Sequence, residues 1–369
     1  IGLDMLEIQK YLQTNTLQQL ETELGIKHNR HNKYPNLVLL KYDQIKSPTY
    51  HPIVQECRGI ILDEDDNWKV ISYPFNRFYN YGQNNAEKAI DWSSAVVQTK
   101  EDGSMLQLFN YRSEWLVATS GKADASGEVN GFDFTFEQLF WKLFDKLNCK
   151  LSILLDNSCT YIFELCSIYN KVVVEYKEPK LVLLGYRDLF TNEEASYDSL
   201  ITLAKSLNYE VVKQYQLTNL QQILDYLKTT KGNELEGLVV VDKNFNRIKI
   251  KSEEYVALHH IRSNTNTPTA LLEVIRKGET EELLTYFKEL TTEINELDSK
   301  YKLLTNTINN KWINTKLISD RKEFALTIKE YFYSDCLFSL YLNRVSTVEE
   351  YLLNLDSRKL YSWIHQLSK

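Results

Sequence analysis

Glycine disappears from this chain after Gly278, and beyond that point apolar residues fall at helical spacing. The run Leu283, Leu284, Phe287, Leu290, Ile294, Leu297, Tyr301, Leu304 and Ile308 keeps a single stripe, which a helix must bury against other helices. Helices are expected over 270–277, 279–310, 321–342, 348–353 and 358–367. Before residue 261 the pattern differs. Short β-branched and aromatic runs bounded by polar turns predict strands at 37–42, 57–62, 69–73, 94–99, 105–109, 115–120, 160–166, 172–174, 181–186, 235–241 and 248–251. Helices are expected within 4–24 and over 134–147, 197–207 and 217–227. A polar Thr/Asn/Pro linker at 264–269 separates the two characters. The expected fold class is α+β, with an antiparallel-sheet domain over 1–261 and an all-helical domain over 262–369.

At 369 residues the chain exceeds what one core usually organises, in keeping with two domains. No apolar run approaches a membrane span and the stretch carrying Asp4 and Glu7 is not a signal peptide, so a cytoplasmic protein without a membrane partner is expected. Cys57, Cys149, Cys159, Cys166 and Cys336 form no CxxC pair, which indicates neither a zinc knuckle nor a disulfide framework. His28/His31 and His259/His260 have no cysteine or acidic partner at ligand spacing, which argues against a dedicated histidine metal site. The net charge of −7 does not exclude nucleic acid, because phosphate contacts depend on where Lys and Arg converge.

Chemistry-bearing residues gather in the first part. Thr99-Lys100-Glu101-Asp102-Gly103-Ser104 is a tight polar turn between two strands, holding an amine on rigid flanks while Gly103 lets backbone approach a ligand. Glu164 stands alone in an apolar strand, and a buried lone carboxylate is costly unless a cation meets it. Glu236-Gly237 opens a further strand. In Ile248-Lys249-Ile250-Lys251 the two-residue period puts both lysines on one face. Arg58-Gly59 offers a guanidinium fork, and 74–81 interleaves Arg77 with aromatics. The basic stretch 27–33 reads more readily as a solvated loop than as a phosphate contact. Each feature also has an ordinary reading: a soluble hairpin tip, a lysine-guarded edge strand, a core margin.

In order along the chain, Lys100-x-Asp-Gly, Glu164, Glu236-Gly237 and Lys249-x-Lys251 resemble the motif series of the covalent nucleotidyltransferases: DNA ligases, RNA ligases and mRNA capping enzymes. Glu56-Cys57-Arg58-Gly59-Ile60, Lys100-Glu101-Asp102-Gly103-Ser104, Asn170-Lys171-Val172-Val173 and Lys249-Ile250-Lys251-Ser252, followed by Tyr255-Val256 and Leu258-His259, are similar to the phage tRNA-repair branch of ATP-dependent RNA ligases. The resemblance covers residues 37–260.

It implies an adenylyltransferase domain that uses ATP and Mg²⁺, with Mn²⁺ as a substitute. Lys100 would take AMP from ATP and pass it to an RNA 5′-phosphate, and an RNA 3′-hydroxyl would then displace it. By the same resemblance Glu236 and Glu164 hold metal, Asp102 holds metal or orients the amine, and Arg58, Arg77, Lys249 and Lys251 serve the phosphates. Leu184 and Val239 sandwich adenine, with Tyr42, Thr99, Gly103 and Tyr255 near the nucleotide. A lysine is protonated in neutral water, so Lys249, Lys251, Arg58 and Mg²⁺ are expected to disfavour the Lys100 ammonium. Thr119-Ser120-Gly121 departs from the branch, which has lysines there, and leaves Lys122 displaced.

By the same resemblance an all-helical C-terminal domain implies a bias toward tRNA, and Arg276-Lys277, Lys311, Lys316, Arg321-Lys322 and Arg358-Lys359 are the residues expected to contact its phosphates. The expected partner is RNA with 5′-phosphate and 3′-hydroxyl ends, nicked tRNA included, handled by a monomer. The competing readings are a DNA ligase or capping guanylyltransferase, disfavoured because no OB-fold pattern follows Lys251, and a decayed RNA-binding scaffold, disfavoured because the charged groups are present.

Overall fold

The computed structural model describes residues 4–145, 155–260 and 268–369. The chain divides into two compact units, Ile1–Tyr255 and Val256–Lys369. The linker expected at 264–269 lies outside the described residues through 267, as does Cys149. Cys57, Cys159, Cys166 and Cys336 are buried free thiols. Among the described residues no helix is long and apolar enough to cross a membrane.

The first unit opens with α1 (Glu7–Leu12) and α2 (Leu17–Leu24). Thr16 caps α2 by accepting from Gln19 N while the Gln19 side chain accepts from Thr16 N, and Gly25 ends the helix at φ 66°. A four-stranded antiparallel sheet follows, ordered β1 (Lys27–Arg30), β2 (Leu37–Lys41), β3 (Arg58–Asp63), β4 (Lys69–Ser72), with α3 (Pro52–Glu56) leading into β3. The stretch 27–33 was expected as a loop. Its first half is instead an exposed edge strand, which pairs through backbone alone and so leaves no apolar pattern to read.

Ten further strands build two sheets: β5 (Tyr79–Asn80), β6 (Val96–Lys100), β7 (Ser104–Tyr111), β8 (Glu114–Thr119), β9 (Cys159–Cys166), β10 (Lys180–Asp188), β11 (Glu210–Val211), β12 (Gln214–Tyr215), β13 (Gly237–Val241) and β14 (Arg247–Lys251). One runs β11-β10-β9-β7-β8 and the other β12-β6-β13-β14-β5, and the short pairs β10–β11 and β14–β5 are the parallel ones. Phe140 and Phe144 of α4 (Phe136–Asp145) and Leu200 and Ala204 of α5 (Tyr197–Leu207) pack on Phe163 and Leu183 of the former. Ile223 and Leu227 of α6 (Leu220–Lys228) pack on Leu238, Ile248 and Ile250 of the latter.

The strands around Lys100 do not form a hairpin. β6 belongs to one sheet and β7 to the other, so the turn 101–103 crosses between sheets, where β9 and β13 also meet it. β14 lies inside its sheet, so Lys249 and Lys251 do not guard an edge. The strand expected at 172–174 is absent, because the Val173 and Val174 amides donate to a side chain instead of a ladder.

The second unit contains most of α7 (Glu253–His260), then α8 (Pro268–Arg276), α9 (Thr280–Tyr286), α10 (Thr291–Thr315), α11 (Arg321–Ile328), α12 (Ser334–Tyr341), α13 (Val348–Asn354) and α14 (Ser357–Leu367). They close on Leu272, Leu283, Ile294, Leu304, Phe324, Leu337 and Trp363. Asp320, Thr347 and Asp356 cap α11, α13 and α14 by accepting first-turn amides, each contributing about 1 kcal/mol. The helix expected over 279–310 breaks at Phe287 (φ −126°, ψ 66°), and that over 321–342 breaks between Ile328 and Ser334. No glycine or proline marks either break, so periodicity ran through both.

Candidate active site

Lys100 ends β6, and the β6–β13 ladder pairs it with Gly237, the residue after Glu236. That register brings Lys100 Nζ to 2.7 Å from Glu236 Oε1. Gly237 is needed here, because a Cβ would stand 2.2 Å from the Ile250 carbonyl oxygen. Glu164, on β9 opposite Met105 of β7, accepts from Gly103 N at 3.1 Å. The expectation that Gly103 admits a ligand is corrected: the atom its missing Cβ would strike, at 2.2 Å, is the Leu165 carbonyl oxygen of β9. Glycine lets the turn lie against β9.

Burial pushes the Glu164 carboxyl up to about 8, with Lys100 opposing and Glu236 adding to the shift. Burial also raises Glu236, against the pull of Lys100 and Lys251. Lys100 behaves contrary to expectation. Burial alone would lower it, but Glu236 and Glu164 outweigh burial and hold its ammonium above the ordinary lysine value. The surrounding cations do not unmask the amine, because the carboxylates act on it more strongly.

Asp102, expected to hold metal or to orient the amine, has both carboxylate oxygens engaged by its own chain. Its Oδ2 accepts from Val173 N at 2.9 Å and Val174 N at 2.7 Å, and its Oδ1 accepts from the Tyr255 hydroxyl at 2.8 Å. The carboxylate is a clasp tying the turn to the 173–174 backbone. Tyr255, expected near the nucleotide, is buried with its hydroxyl on Asp102. Asn170 completes the clasp by donating to the Leu165 carbonyl at 2.8 Å and to Ser104 Oγ at 3.0 Å. Tyr176, which the sequence reading missed, accepts from Asp102 N at 2.9 Å.

A cavity of about 450 Å³ opens beside Lys100, lined by Glu164, Arg58, Phe78, Leu184 and Val239, with Thr99 and Gly103 at the turn. Leu184 and Val239 therefore share it with the lysine. Arg58 lies 5.0 Å and the Lys249 ammonium 5.3 Å from the Phe78 ring centroid. Lys251 stands 6.0 Å from the Tyr255 ring and acts on the Glu236 charge. Arg77 is buried with its guanidinium 4.1 Å from the Tyr42 ring, and it lines a neighbouring hollow of about 620 Å³ that shares Phe78 and Arg247 with the first. Arg77 and Tyr42 are thus brought to each other and not to Lys100. Lys122 closes a turn through its backbone with Thr119, while Thr119 and Ser120 line the cavity.

The sequence reading also missed Lys41. It ends β2 opposite Arg58, where a bulge interrupts the ladder, and burial together with Arg58 brings its amine down to about 8. Burial would raise Tyr42, but Lys41, Arg58 and Arg77 outweigh it and lower the phenol. The available signal was a lysine closing an otherwise apolar run beside Tyr42.

A profile of the RNA ligase family matches residues 56–255. The RNA ligase of Rhodothermus phage RM378 is 27% identical over 359 residues, covering 79% of this chain and 80% of that protein. A protein of Autographa californica nuclear polyhedrosis virus described as a bifunctional polynucleotide kinase/RNA ligase is 30% identical over 326 residues, or 83% of this chain. The chain spans only 45% of that viral protein's length. An archaeal ATP-dependent RNA ligase superposes with a TM-score of 0.50 at 14% identity, over 77% of this chain and 74% of that one, a likeness of fold. The antiparallel-rich sheets, followed by a helical unit, thus have the fold class of the nucleotidyltransferase ligases. Within that class, the chain belongs to the RNA ligase family.

Proposed function

We propose that this chain joins RNA ends with 5′-phosphate and 3′-hydroxyl groups, at the expense of ATP, through a lysyl-AMP intermediate. The observation that carries the proposal is the Lys100 amine, 2.7 Å from Glu236, at a cavity flanked by Leu184 and Val239. Those two side chains give adenine apolar faces, and Arg58, Lys249 and Lys41 offer positive charge to the phosphates.

The Lys100 ammonium passes one proton to Glu236, whose proton affinity burial has raised; the freed Nζ lone pair then forms a bond to the α-phosphorus as the bond to pyrophosphate breaks, and the second proton on nitrogen leaves to solvent. An RNA 5′-phosphate oxygen then displaces Lys100 from phosphorus. The RNA 3′-hydroxyl attacks the activated 5′-phosphorus and AMP departs.

Two carboxylates with raised proton affinity, Glu236 buried and Glu164 half-buried at the cavity wall, act on the Lys100 ammonium, and an all-oxygen donor pair suits a hard divalent cation. Glu164 and Glu236 would hold Mg²⁺ or Mn²⁺. The ion supplies positive charge that offsets these carboxylates and the phosphate oxygens. Asp102, with its oxygens engaged, positions the turn.

Residues 1–261 carry this chemistry in our reading, and 262–369 bias it toward nicked tRNA, in a cytoplasmic monomer. Exposed Lys277, Lys316, Arg321, Lys322 and Arg358 offer phosphate contacts. Arg276 drops out of that set, because it is buried and donates to backbone carbonyls and Ser357.

The test is joining of RNA carrying 5′-phosphate or 5′-hydroxyl ends, with and without ATP and Mg²⁺. Joining is expected only with 5′-phosphate and ATP, and faster on nicked tRNA than on unstructured RNA. Joining of 5′-hydroxyl ends, or joining of parent protein without ATP through repeated turnovers, would refute the proposal.

A further inference from the structure

The second unit assembles a histidine–carboxylate cluster away from the Lys100 site. His259 and His260 occupy the last turn of α7, and Glu279 precedes α9, which carries Glu282. One ligand atom each from His259, His260 and Glu279 lies within 4.8 Å of the others. His260 Nε2 stands 3.1 Å from Glu279 Oε2 and 3.8 Å from Glu282 Oε1. Donor atoms about 2.0–2.2 Å from a tetrahedral zinc stand about 3.3–3.6 Å apart, so these spacings bracket the edge of such a shell.

Burial supplies a second, independent observation. The His260 side chain is 4% exposed, and its Nε2 is buried without a hydrogen bond. Glu282, also 4% exposed, brings a second carboxylate to the same nitrogen. Two carboxylates beside two imidazoles give the mixed oxygen and nitrogen donors that a divalent cation takes. A cavity of about 270 Å³ reaches both histidines and provides a way in for an ion.

We propose that His259, His260 and Glu279, with Glu282 beside His260, form a site for a divalent first-row transition ion, with Zn²⁺ the best match for a mixed nitrogen and carboxylate donor set. Adjacent histidines look unpromising in sequence because their acids come from the next helical segments. The fold, and not local spacing, completes the set. The site ties α7 to α9 across the residues between them and is distinct from the carboxylate pair at Lys100, whose oxygen donors suit Mg²⁺.

The full chain, stripped by chelator, loaded with Zn²⁺ in excess Mg²⁺ and desalted, tests this by metal analysis. About one Zn²⁺ per chain should be retained. His260→Asn and Glu279→Gln should each reduce it at least tenfold. Glu279 is partly exposed and its amide is isosteric, so that variant separates lost ligation from lost folding, with circular dichroism as the control. Co²⁺ in place of Zn²⁺ should give the intense visible absorption of a four-coordinate ion. Absence of retained Zn²⁺, undiminished retention in both variants, or loss of retention in Glu164→Gln and Glu236→Gln would each overturn the proposal.

Discussion

Arg276 of the helical unit and the Glu164–Glu236 pair beside the Lys100 turn hold charge in opposite ways. In the helical unit, Arg276 is 5% exposed and its Nη groups are filled by the Leu352, Leu353 and Leu355 carbonyls, Ser357 and Glu273. Asp102 is treated similarly, with Val173, Val174 and Tyr255 on its carboxylate. Next to it, Glu164 and Glu236 are held where burial raises their hold on protons. A buried charge whose hydrogen bonds its own chain supplies is architecture, whereas acids whose hold on protons is raised at the wall of a cavity leave work for a ligand.

The largest effect expected from this contrast is at Glu236. Glu236→Ala should slow lysyl-AMP formation by about 10²-fold or more, since it removes both the Lys100 partner and a proposed metal ligand. Glu164→Gln should cost less, because an amide oxygen still accepts from Gly103 N. Equal losses in single-turnover assays would erase the distinction.

Asp102→Ala should act through stability, losing three hydrogen bonds and about 3 kcal/mol, against about 1 kcal/mol for Tyr255→Phe. Denaturant unfolding reads both. A catalytic loss in Asp102→Ala with unchanged stability would return the residue to the metal.

Glu164 gives a pH signature of smaller size. Its folded value of about 8 exceeds the ordinary 4.5, so the native state keeps a proton that the unfolded chain releases, and stability falls as pH rises from about 4.5 to 8. Without added metal, Glu164→Gln should therefore gain on the parent across that window, by roughly 3–6 °C in melting temperature at the upper end. A parent and variant that melt with parallel pH profiles would contradict the raised value. The smallest effect belongs to the helical surface. Arg321→Glu with Lys322→Glu should flatten the salt dependence of tRNA joining and leave lysyl-AMP formation unchanged.

Much of this was legible in the sequence because it is local. The order Lys100, Glu164, Glu236, Lys249 and Lys251 is written in strands, and period two put both lysines on one face with Ile248 and Ile250 buried on the other. What escaped was non-local. The split of β6 and β7 between sheets, the capture of Asp102 by residues seventy positions on, and the descent of Lys41 toward neutrality all depend on pairing that no short window contains. Gly103 was correctly singled out for close approach, but what approaches is β9.

The most direct test of the account is the site of covalent AMP. Incubating the chain with ATP and Mg²⁺, without RNA, and mapping the adduct by peptide mass analysis should find AMP on Lys100, with none in Lys100→Ala. An adduct on Lys41, Lys249 or Lys251, or undiminished labelling of Lys100→Ala, would contradict it.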